Sequence, residues 1–166
     1  MEEQRREQSR RMTIIVSKGA LDAAYPPFIL ATMGAAMGVE VTMFFTFYGL
    51  SLLRRRLDAG VSALGNPAFR LPVGGLRFRP INLLSALPGF EGEIGDHMKR
   101  MFAKTRVADL GELRALTVEA GAKLIACQMT MDLFELKPTD LIDGVTLGGA
   151  ASYLEESLHG DINLFV

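Results

Sequence analysis

At 166 residues the chain has room for one domain with a sizeable core and is too short for two of ordinary size. A net charge of -1 provides no basic field for counterion-driven nucleic-acid binding, and 49% hydrophobic against 22% charged residues is the balance of a soluble globular protein. One cysteine excludes an internal disulfide, and the charged start "MEEQRREQSRRM" lacks the apolar stretch of an export signal, so a reducing cytoplasm is the expected compartment.

Residues 1–11 read as a polar tail outside the core, and residues 12–166 as a single domain. "MTIIVSK" (12–18) is a near-continuous apolar run rich in β-branched residues, the pattern of a strand buried on both faces of a parallel sheet. A helix is expected from Gly19 to Gly38, with Asp22 as a candidate cap and Pro26 and Pro27 close to its start. Its many alanines and glycines would let it lie close on the sheet. "VEVTMFFTF" (39–47) is the second strand, and "YGLSLLRRRL" a short helix after it. The run 39–53 contains Glu40 and falls short of the roughly 20 apolar residues that a membrane-spanning helix needs, so no span is expected.

The β-α-β-α order then lapses over about 58–95. This Gly/Pro-rich insertion carries Pro67, Pro72, Pro80 and Pro88, yet also Phe69, Phe78, Leu83, Leu84 and Phe90. That many large apolar groups suit a lid or a subunit interface; a variable surface excursion is the alternative. A helix is expected within "GDHMKRMFAKTRV", and an amphipathic one over 109–121 with Leu110, Leu113, Leu116, Thr117 and Ala120 on one face. "KLIAC" is a strand, Thr130 and Asp132 mark the next helix start, and "DGVTLGG", "GAASYLEESLHG" and "INLFV" read as strand, helix and terminal strand. The alternation predicts an α/β three-layer arrangement around a mostly parallel sheet.

The chemistry-bearing candidates gather at strand ends. Cys127 closes its strand just before a helix, where free backbone N–H groups and the helix dipole favour a thiolate; the alternative is an inert core cysteine. Ser17 and Lys18 end the first strand, so Lys18 either offers positive charge at the same sheet edge or is simply solvated. Tyr48, at the corresponding end of the second strand, either lines a pocket or packs. Met129 and Met131 suit a polarizable lining around sulfur, with gap-filling the competing role. His97 and His159 make no metal set with one cysteine at these spacings. Gly148 and Gly149 precede a helix, where phosphate can bind, but neither GxGxxG nor a P-loop lysine is present. Arg54–Leu57, "RRRL", reads as a solvated cationic face or a dock for an acidic partner.

Together "SKGALDAAYPPFILATMGAAMGVEVTMFFTFYGL" and "GAKLIACQMTMDLFELKPTDLIDGVTLGGAASYLEES" resemble the DsrE/DsrF/DsrH-like family, in particular its DsrE2-type branch. The resemblance runs from about Met12 to the end and implies a flavodoxin-like α/β fold, often in homo-oligomers. It implies a sulfurtransferase or persulfide carrier in sulfur trafficking, working with TusA-like and rhodanese-like partners and requiring no cofactor or metal. The family's sulfur-carrying cysteine maps onto Cys127, with Ser17, Lys18, Tyr48, Met129 and Thr130 as candidate binding residues around it. With no second cysteine, transfer to a partner's thiol is favoured over a dithiol mechanism. A protein-interaction or small-ligand module with Cys127 buried is the rival reading.

Overall fold

In the computed structural model, residues 10–60, 71–73, 76–78 and 108–166 are described, the two short segments by their backbone. The β-branched run after the polar tail forms β1 (Arg11–Val16), and the second apolar run forms β2 (Glu40–Phe45). Between them lies α1 (Leu21–Ala36). A 3-10 segment, Phe47–Leu53, follows β2 where a short α-helix was expected. Leu71–Val73 (β3) and Leu76–Phe78 (β4) pair as a small antiparallel ribbon. The carboxyl-terminal half contains α2 (Leu110–Glu119), β5 (Lys123–Cys127), α3 (Gln128–Leu133), a 3-10 turn at Pro138–Asp140, β6 (Val145–Gly148), α4 (Ala150–Leu158) and β7 (Ile162–Phe165). Apart from β3 and β4, the insertion expected over 58–95 lies largely outside the described residues, as do the helix expected in "GDHMKRMFAKTRV" and His97.

The main sheet has the order β6-β5-β2-β1-β7, and every pairing in it is parallel. The chain starts at β1, steps outward to β2, β5 and β6, then crosses back to place β7 on the free side of β1. Alternation along the strands separates two faces. Met12, Ile14, Val16, Val41, Met43, Phe45, Leu124 and Ala126 bury themselves under α1 and α2, where Phe28 and Phe45 rings meet at 6.0 Å. On the opposite face Phe44, Ile125 and Cys127 form a smaller cluster that Ile15 and Tyr153 of α4 flank. This is the three-layer α/β arrangement that the sequence pattern predicts.

Three local expectations are corrected. Pro26 and Pro27 sit inside α1 and not at its start, so the helix forgoes two of its own backbone hydrogen bonds, a loss offset by burial of neighbouring Tyr25, Pro27 and Phe28 against the sheet. Asp22 is in the first turn but does not cap; Ala20 holds the cap position without a side-chain bond. In α2, Asp109 and Glu112 close a reciprocal capping box, and Leu110, Leu113 and Thr117 are buried, whereas Leu116 and Ala120 face outward among the described residues. The buried stripe is therefore narrower than the sequence suggests. Thr117 completes it by meeting Thr32 of α1 at 3.0 Å. Among the described residues no helix is long and apolar enough to cross a membrane.

Candidate functional site

Cys127 is the last residue of β5 and the cap residue of α3, with extended backbone (φ -67°, ψ 112°). Pairing in register puts its backbone beside Gly148 of β6 on one side, and continuing the β2–β5 register puts Thr46 on the other. α3 begins immediately after Cys127, so its first N–H groups point back toward the cap residue that carries the sulfur.

Burial, at 4% exposure, pushes the Cys127 thiol upward. Four groups beside the sulfur oppose this, the Thr130 hydroxyl and N–H, the Thr46 hydroxyl and the Met129 N–H, each lowering the thiol by hydrogen bonding that favours its charged form. Together they outweigh the burial and hold the thiol below its ordinary value. The sulfur is thus buried yet favoured as an anion, because hydrogen bonds to the charged form stabilise it. Thr130, fully buried, organises this group. Its oxygen accepts the Phe47 N–H at 3.2 Å and lies 3.2 Å from the Thr46 oxygen. That arrangement aligns the end of β2 with the start of α3.

Thr130, expected at the start of α3, is its third residue and lies in the first turn, with Cys127 in the capping position. Met129 contributes its backbone N–H while its side chain is exposed; Met131 is buried in the main core under α1 and α2. Neither thioether is part of the small cluster that surrounds Cys127. Ser17 is engaged elsewhere, its hydroxyl donating to the Val166 carbonyl at 3.0 Å and so tying β1 to the chain end. His159 ends α4 beside Arg11, Glu40 and Lys123, at the amino edge of the sheet and away from Cys127. Gly148, considered with Gly149 for a phosphate contact, has a packing role. A Cβ there would come within 2.8 Å of Ile125 and 3.1 Å of Ser152, so only glycine leaves room between β6, α4 and the Cys127 strand.

Lys18 and Tyr48 meet at a second feature of the carboxyl edge, a cleft of about 770 Å³. It is lined by the β1–α1 turn, Phe47, Tyr48, Ser51, Arg54, Phe134 and Leu136. Close approach of two backbones builds it: Gly49 packs on the Val16 carbonyl and Gly19 on the Tyr48 carbonyl, each where a Cβ would collide. Phe47, at φ 45° in the left-handed region that non-glycine residues seldom adopt, lines the cleft while its N–H reaches Thr130. Cys127 itself does not line the cleft; the link between them is Phe47, which lines the cleft and donates its N–H to Thr130. Thr46, Phe47 and Phe134 were not singled out by sequence, where only the strand-end location of Thr46 offered any signal, and Arg54 was noted only as part of the cationic run 54–57.

A sequence model of the DsrE/DsrF/DrsH-like family matches residues 8–165. The chain belongs to that family. It is 46% identical over 159 residues to the Sulfur carrier protein DsrE2 of Allochromatium vinosum, covering 96% of this chain and 99% of that one. It is 32% identical to the uncharacterized protein YrkE of Bacillus subtilis over 162 residues, again 96% of this chain and 99% of the relative. Among solved structures, the ychN protein from E. coli superposes with a TM-score of 0.54 over 94% of this chain and 99% of that chain. At 12% identity that likeness concerns the fold alone. The family assignment expected from the sequence holds, and with it the α/β fold.

Proposed function

We propose that this protein is a sulfur carrier that accepts sulfane sulfur on Cys127 as a persulfide and passes it to a partner thiol. The observation that carries the reading is the placement of a buried sulfur at the end of β5 and the start of α3, beside the bonded pair Thr46 and Thr130, a setting suited to an anion. The 46% identity to a protein named a sulfur carrier adds support. In the first step the Cys127 thiolate attacks the outer sulfur of a donor persulfide R–S–SH, giving Cys127–S–SH and R–S⁻. In the second an acceptor thiolate R′–S⁻ attacks the outer sulfur, giving R′–S–SH and regenerating Cys127–S⁻. Electron pairs and protons balance without an added oxidant, reductant or metal. As donors and acceptors we propose TusA-like and rhodanese-like proteins, and as compartment the cytoplasm, where a lone thiol stays reduced.

Self-association is part of the same proposal. Leu154 and Leu158 on α4 and Ile162 and Phe165 on β7 are exposed, Leu158 at 82% and Phe165 at 72%, a density of apolar surface that a second copy would cover.

The 4% exposure of Cys127 favours the rival reading, an interaction or ligand-binding module with an inert thiol. Intact mass after brief treatment with polysulfide or thiosulfate separates the two. A reductant-reversible gain of 32 Da steps, about one sulfur each, in the wild type and not in Cys127→Ser is the expected result. A native protein that takes up no sulfur and resists alkylation would leave the module reading in its place.

A further inference from the structure

The cleft beside Cys127 has the chemistry of a binding site in its own right. Its volume of about 770 Å³ lies within the range of small-molecule sites. One wall is aromatic: the Tyr48 and Phe134 rings stack with centroids 6.1 Å apart and planes at 25°, and Phe47 extends the wall. Tyr48 is 73% exposed, so this apolar wall is offered to solvent.

Among the described residues the charged lining carries a net positive charge: Lys18 and Arg54 line the cleft with Asp22 as the carboxylate, and neither cation has an ion-pair partner there. Arg54 stands out from its neighbour Arg55, which bonds Asp143 at 2.7 Å and the Thr139 carbonyl at 3.1 Å. The Arg54 backbone is fixed from three directions. Its N–H donates to the Ser51 carbonyl at 3.2 Å, its carbonyl accepts from Arg114 Nη1 at 2.7 Å, and it bridges to Leu141. The point from which the exposed guanidinium extends is therefore held at the rim of the cleft.

We propose that this cleft binds a small organic anion with a flat apolar body, the charge meeting Arg54 and Lys18 and the body lying against Phe47, Tyr48 and Phe134. The site does not depend on the sulfur-carrier reading. The probe is 8-anilinonaphthalene-1-sulfonate titrated onto the native full chain, beside N-phenyl-1-naphthylamine, a similar aromatic body without the sulfonate. Expected is one saturable sulfonate site per chain, weakened about fivefold by Arg54→Gln and likewise by Lys18→Gln, as loss of one exposed ion pair allows. The uncharged probe should be indifferent to both changes, and Tyr48→Ala should weaken both probes. Cys127→Ser should bind like wild type, so a failure here is distinct from failure of sulfur transfer. Sulfonate binding that is unsaturable, or unchanged in both Arg54→Gln and Lys18→Gln proteins of native circular dichroism, would overturn the proposal.

Discussion

Cys127 shows how a single residue acquires two opposed properties. Its burial disfavours the anion, and the donors from Thr130, Thr46 and Met129 favour it more strongly. The rate of alkylation against pH should therefore turn over below the ordinary thiol range, and Thr130→Val should move the midpoint upward by removing one donor. A midpoint unchanged in Thr130→Val would mean that the hydroxyl does not act on the sulfur. The same substitution leaves the Phe47 N–H without its acceptor, so unfolding in urea should show a loss of about 1–3 kcal/mol. Linkage gives a second readout. With the thiol lowered on folding, the unfolded chain holds more protons between the two values, so stability rises with pH across that window. The contribution is complete above the unfolded value and lost as pH falls through the folded one. Wild type should thus gain on Cys127→Ser in unfolding titrations as pH rises through the window. The position of Cys127 at a strand end before a helix was legible in the sequence, and with it the part played by the helix N–H groups; the approach of Thr46 was not, because it lies 84 residues from Thr130 and nothing local joins them.

At the scale of elements, the junction between β2 and the 3-10 segment sets the site. Gly49 rests on the Val16 carbonyl, and a methyl group there would collide with backbone that has nowhere to go. Gly49→Ala should cost about 3 kcal/mol, the upper end of overpacking, and should disturb Phe47 and with it the Thr130 hydrogen bond. A urea midpoint equal to wild type would show that the two segments move apart without penalty. The capping box of α2 is a calibration far from the cysteine: Asp109→Ala should cost about 1 kcal/mol while leaving Cys127 alkylation unchanged. Sequence patterning located α2 through its apolar spacing and the Asp109 start. It misplaced the prolines of α1, because tolerance at a helix start is a local rule, whereas burial of this segment against β1 and β2 is a tertiary gain that offsets the missing hydrogen bonds.

For the whole molecule, one sheet face is sealed and the other is not. α1 and α2 cover the larger core, while the Cys127 face carries the small cluster beneath α4, and much of α4 and β7 remains exposed among the described residues. Light scattering on the full chain should give the mass of a multimer, and Leu158→Asp combined with Phe165→Asp should reduce it, since desolvating charge in an apolar contact is costly. A monomeric mass for the wild type would end the self-association proposal.

The sequence by itself determined the order of strands and helices and the parallel character of the sheet, because β-branched runs, helical spacing and turn residues are local and survive without knowledge of neighbours; the family came from the resemblance of two long segments. Tertiary structure alone decided what meets the sulfur and what lines the cleft. In a parallel sheet each neighbour arrives after a long crossover, so the pairing of Cys127 with Gly148, its approach to Thr46, and the convergence of Lys18, Arg54 and Phe134 follow from packing of the crossovers. No pattern within a single segment encodes them.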